Sequence, residues 1–184
     1  MDKLHWVTST LGIVLALGLT RLLTTGVSLF RVRDQVKMDW MAVVWAGSIF
    51  LLLLQLSWAT LYLAQVDTNW TFPKFLVVLS EATLLYVAAA LILPSHELRA
   101  GETLRDYFDK DGHWAVAVVA VYKAVAMLMN WAAFDAWPLT RDGAVNAVLL
   151  VSATAFGMTH RVRAQWVTTL VFAAVLVGAA FLIG

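Results

Sequence analysis

Apolar positions run in long stretches along this chain, broken by short clusters of charge. Six stretches approach the roughly 20 residues that a helix needs to cross a hydrocarbon core. They lie at roughly 5–30, 39–65, 72–93, 113–134, 140–158 and 165–183. The second is long enough to tilt or to extend beyond the bilayer, and the fifth is short. Pro73 falls in the first turn of the third stretch, Pro94 at its end and Pro138 at the start of the fifth. Each sits at a helix terminus, where a missing N–H does little harm. The pattern predicts an all-α polytopic membrane protein: one domain over residues 1–184, built from six transmembrane helices.

The loops are short except for residues 95–112. There Ser95 is expected to cap a short interfacial helix between the third and fourth spans. Leu98, Leu104, Tyr107 and Phe108 would lie on the bilayer surface, with Glu102, Arg105 and Asp106 in water.

Composition agrees. The chain is 61% hydrophobic with mean hydropathy +0.79, and only 14% of its residues are charged. A soluble domain would carry about 25%. The net charge of +1 and the lack of a basic stretch exclude a nucleic-acid partner. With no cysteine there is no disulfide, thiolate metal site or cysteine nucleophile. The first apolar stretch is longer than a signal peptide and lacks a basic leader, so it reads as a retained helix.

Charge between the spans sets the expected orientation. Arg31, Arg33, Lys37, Arg99, Arg105, Lys110, Arg161 and Arg163 fall on one side, against Lys3, Lys74 and Arg141 on the other. Basic loops stay in the cytoplasm, so both termini should face outward. Trp6, Trp70, Trp131 and Trp137 then map to the outer interface and Trp40, Trp114 and Trp166 to the inner one, as aromatic belts do. The pattern resembles small six-helix bacterial inner-membrane proteins. That resemblance implies a multi-pass location in the inner membrane, among its lipids.

Three charges lie inside the spans: Arg21, Glu81 and Lys123. A charge in hydrocarbon costs a few kcal/mol or more, so such groups face a protein interior, pair, or line a solute path. Counting from the cytoplasmic ends at about 1.5 Å per residue puts Arg21 near ~14 Å, Lys123 near ~15 Å and Glu81 near ~19 Å deep. All three are expected at one polar midplane site. Ser80, Thr83, Asn130, Asn146 and Gln55 share helix faces with polar residues and are candidates to surround it. Two cations against one carboxylate leave a local excess of +1, which would favour an anion or a proton-coupled solute. The plain structural reading is an internal salt bridge that only holds helices together.

The sixth span has no polar stripe beyond Thr168 and Thr169. It is expected to be peripheral, or to pack against another copy through Ala174 and Gly178, giving a homo-oligomer. Histidines His96, His113 and His160 map to the cytoplasmic rim and are weak candidates for a metal. Their spacing fits no metal motif, so no cofactor is expected. Phosphate-binding, hydrolase and dinucleotide signatures are absent. A transporter or oligomeric channel is therefore the leading expectation. A non-catalytic subunit that binds a partner protein or lipid is the alternative, and a small enzyme at the His/acid rim the second.

Overall fold

The computed structural model describes residues 3–34, 37–66, 71–94, 103–134, 140–159 and 161–182. Its helices are α1 (Lys3–Arg31), α2 (Trp40–Val66), α3 (Phe72–Ile92), α4 (Leu104–Tyr107), α5 (His113–Phe134), α6 (Arg141–Met158) and α7 (Val162–Leu182), with a π-helical stretch, Phe108–Gly112, joining α4 to α5. No strand occurs among the described residues. Predicted boundaries agree to within a few residues.

Local chemistry explains several starts. Asp39 Oδ1 accepts from Met41 N at 3.1 Å and caps α2. Pro73 occupies the first turn of α3. Thr140 Oγ1 accepts from Gly143 N at 3.2 Å and caps α6. In each case an N–H without an intrahelical partner is satisfied or removed.

Five stretches are long and apolar enough to cross a membrane: His5–Arg31, Trp40–Thr60, Phe72–Ile92, Leu104–Ala132 and Val162–Phe181. The chain is thus an integral membrane protein with several apolar helices. The fifth expected span, α6, does not join them. It has 18 residues and begins on Arg141 and Asp142, with Asn146 one turn further on.

The long helices form a ring. α1 packs on α3, α3 on α5, α5 on α6, α6 on α7, α7 on α2, and α2 back on α1. The apolar side chains that point outward are many, including Ile13, Leu17, Trp58, Leu128, Val151 and Phe181. Such a surface suits lipid, where an apolar face carries no desolvation cost. Gly18 lets α1 approach closely. A Cβ there would lie 3.1 Å from the Leu53 side chain and 3.6 Å from the Tyr86 backbone.

One half of the ring is filled. Trp45 packs at 5.5 Å against Phe156 and 4.7 Å against Phe172, and Phe108 packs at 5.9 Å against Phe156. The buried Trp45 indole donates to Thr169 Oγ1 at 3.0 Å, tying α2 to α7. α7 has the smallest buried share of the five apolar stretches, and it meets the ring through the buried Phe172 and Leu176. Ala174 and Gly178 face outward.

The expected interfacial helix is also corrected. Leu104 and Phe108 do not lie on the bilayer surface; both are buried in the core. Tyr107 donates its hydroxyl to Leu91 O at 2.9 Å. Ser95, Leu98 and Glu102 lie outside the described residues, and the cap is Thr103. Thr103 Oγ1 accepts from Asp106 N at 3.1 Å, and Asp106 Oδ2 accepts from Thr103 N at 3.2 Å, a reciprocal capping box. Arg105 is not a freely solvated charge. It donates to Asp109 at 2.8 Å, to Gln165 at 3.2 Å and to Asp39 at 3.5 Å. One guanidinium therefore ties α4 to the start of α2 and to α7, as its planar fork of donors allows.

Candidate functional site

The other half of the ring is hollow. A cavity of about 450 Å³ lies between α2, α3, α5 and α6, with Ala179 of α7 on its margin. Its position follows from helix direction. It uses the C-terminal halves of α2 and α5 and the N-terminal halves of α3 and α6. That is the end opposite the Trp45–Phe156–Phe172 cluster.

Glu81 and Lys123 both line this cavity and are both buried, at 7% and 5% exposure. Lys123 Nζ donates to Asn146 Oδ1 at 3.1 Å and lies 5.2 Å from the Tyr122 ring centre. Asn146 is itself fixed, because its Nδ2 donates to Asp142 O at 3.1 Å, one turn back. The Lys123–Asn146 bond therefore links α5 to α6. Glu81 is held differently. It lines the same cavity as Lys123, yet no direct salt bridge between them occurs among the described residues. Its buried Oε1 has no hydrogen-bond partner, and neither has the buried Nε2 of Gln55 on the same cavity wall. An unsatisfied acceptor and an unsatisfied donor thus share one cavity. Buried polar atoms without partners are uncommon, and bound solute or water is a usual explanation.

Of the residues expected at the midplane site, the cavity brings together Glu81, Lys123, Asn130, Asn146 and Gln55. It does not bring in Arg21, Ser80 or Thr83. The hydroxyls of Ser80 and Thr83 are exposed and donate to their own helix, to Val77 O at 2.6 Å and Leu79 O at 2.8 Å. Arg21 sits part-buried on α1 and is not part of the cavity lining. It was expected beside Glu81 because its depth is similar; depth along a helix carries no information about which neighbour a residue faces.

Two residues missed as site candidates are Arg141 and Asp142, which line the cavity from the first turn of α6. In the sequence Arg141 counts only among the charges of the outer side, at the edge of the fifth stretch. The signal available was the i, i+4 spacing of Asp142 and Asn146, which puts them on one face. Their presence changes the charge count. The lining holds two cations, Lys123 and Arg141, and two carboxylates, Glu81 and Asp142. The expected excess of +1 depended on Arg21 and does not arise here.

A second hollow of about 570 Å³ lies on the outer side of α5 and α6. It is lined by Ala124, Met127, Leu128, Trp131, Gly143 and Leu150 among others, and it shares Asn130, Asp142 and Asn146 with the inner cavity. At the candidate metal rim, His96 and His160 lie outside the described residues. His113 is described, and no group of three His, Asp or Glu side chains able to hold a metal occurs among the described residues.

The fold and the cavity together define an integral membrane helical bundle with a charged, partly apolar internal hollow. No family model matches the chain, and comparison with curated proteins and with solved structures finds no match.

Proposed function

We propose that this chain is a small transporter of the bacterial inner membrane, with its solute site in the cavity between Glu81 and Lys123. The reading takes α6 as a sixth span. Its 18 residues extend about 27 Å, close to the ~30 Å hydrocarbon thickness, and its charged first turn would reach the headgroups. The excess of basic residues between alternate spans then orients both termini outward. The cavity half faces outward in that arrangement, and the aromatic cluster closes the cytoplasmic half.

The observation that carries the reading is Glu81. A buried carboxylate with an unpartnered oxygen, on a hollow that also holds Lys123, leaves a place for a polar solute. With two charges of each sign on the lining, the solute has no large net charge. The five residues gathered there, Glu81, Lys123, Asn130, Asn146 and Gln55, are its proposed ligands. One six-helix ring is thin for a carrier, so a homo-oligomer is part of the proposal, with Ala174 and Gly178 on the outward face of α7 available for close helix contact.

The test is flux in proteoliposomes with labelled amino acids, amines, phosphate esters and lipids. At least one should move faster than in protein-free vesicles. Glu81→Gln should cut that flux by roughly ten-fold, the factor expected for losing one charged contact, while the protein stays folded. Absence of flux for every probe, with a second chain co-purifying, would replace transport by the role of a non-catalytic subunit.

A further inference from the structure

The two hollows meet at α5 and α6. Asn130, Asp142 and Asn146 line both, so these polar side chains are reached from the ring interior and from the outer face. The inner hollow offers paired charge, with Glu81 and Asp142 against Lys123 and Arg141. The outer hollow is mostly apolar, with Met127, Leu128, Trp131 and Leu150 on its walls. Leu128 and Trp131 are exposed there, on the apolar outer surface of the ring. A water-soluble zwitterion would use only the inner hollow and leave the outer one unexplained.

Resting on the transport reading of the inner cavity, we propose that its ligand is an amphiphile with an ammonium-and-phosphate head, an aminophospholipid, entering between α5 and α6. The ammonium N–H groups meet the unpartnered Glu81 Oε1. The phosphate meets Lys123 and Arg141, and Gln55 Nε2 donates to a head-group oxygen. The acyl chain lies in the outer hollow along Leu128 and Trp131. Each unsatisfied atom of the cavity then has a partner of the right kind: the orphan acceptor takes a donor, and the orphan donor takes an acceptor. The balanced lining suits a head with both signs of charge better than an anionic head, which would leave Glu81 facing a like charge. A trimethylated ammonium head carries no N–H and cannot donate to Glu81.

Binding separates this inference from transport. Purified protein in detergent is titrated with phosphatidylethanolamine, phosphatidylcholine, phosphatidylglycerol and soluble phosphoethanolamine, and bound species are counted by native mass spectrometry. Phosphatidylethanolamine should bind roughly ten-fold or more tightly than the other two lipids, the scale of one charge-assisted hydrogen bond. Glu81→Gln should erase its advantage over phosphatidylcholine. Ala124→Phe fills the outer hollow from an exposed position. It should weaken lipid binding without disturbing the fold, even if Glu81→Gln proves unstable. Equal binding of all three lipids overturns the inference. Soluble phosphoethanolamine binding as tightly as the lipid, unaffected by Ala124→Phe, overturns it too but leaves a soluble zwitterion as the transported solute. Selective, Glu81-dependent lipid binding with no lipid movement in vesicles supports the ligand class and removes the transport reading instead.

Discussion

Removing Lys123 should reveal how Glu81 is held. Lys123→Met deletes the 3.1 Å bond to Asn146 and leaves Glu81 buried with no cation acting on it from α5. The loss should stay below the about 3–5 kcal/mol of a broken buried ion pair, because no salt bridge joins the two among the described residues. Glu81→Gln strands Lys123 less severely, because Lys123 keeps Asn146. The coupling between the two has a ceiling. Unit charges ~4 Å apart at an effective dielectric of about 20 interact by about 4 kcal/mol. Glu81 and Lys123 line one cavity without forming a salt bridge, so their coupling should fall below that ceiling, at about 1–3 kcal/mol. The Glu81→Gln/Lys123→Met protein should therefore be more stable than the sum of the single losses predicts, by that amount. Reversible unfolding in mixed micelles measures all four corners of the cycle. Losses that add to within about 0.5 kcal/mol would refute the interaction, and each charge would then be held only by its own surroundings.

Two further outcomes test the packed half of the ring. A Cβ at Gly112 would lie 2.9 Å from the Phe108 ring and 3.3 Å from Ile92 O, whereas at Gly157 it would meet nothing within 4 Å. Gly112→Ala should therefore destabilise by about 1–3 kcal/mol and Gly157→Ala should stabilise by about 0.4–1 kcal/mol, both read from thermal melts in detergent; equal effects would refute the close approach at Gly112. Arg105→Lys should lower stability by about 1–2 kcal/mol, because an ammonium cannot hold Asp39, Asp109 and Gln165 in one plane. The same melt in Arg105→Lys at high salt should show a smaller difference, since the group is partly exposed and screened; an unchanged melt would mean that the three contacts add nothing.

Particular residues show where reading the chain succeeds and where it stops. The apolar runs alone placed α1, α2, α3, α5 and α7, because a bilayer demands that each spanning segment satisfy its own backbone and present apolar side chains. Both demands are local, so they are written in consecutive residues. Mid-span positions for Arg21, Glu81 and Lys123 follow for the same reason, from a fixed rise per residue. Neighbours are not local. Arg21 and Lys123 have similar depth, yet only Lys123 shares a hollow with Glu81, because α1 presents Arg21 elsewhere. Leu104 and Phe108 carry the pattern of a surface helix and become core, because Arg105 and Tyr107 anchor that turn across the mouth of the bundle. Arg141 reads as a charge at the outer edge of its span until α5 and α6 pack together and bring it, with Asp142, to the cavity lining. The sequence by itself determined which segments are long and apolar enough to cross a membrane and where each charge lies along its own helix. Only the tertiary structure decided which helices adjoin, and so which charges meet, since helix order and rotation come from side-chain packing summed over the whole ring rather than from any one segment.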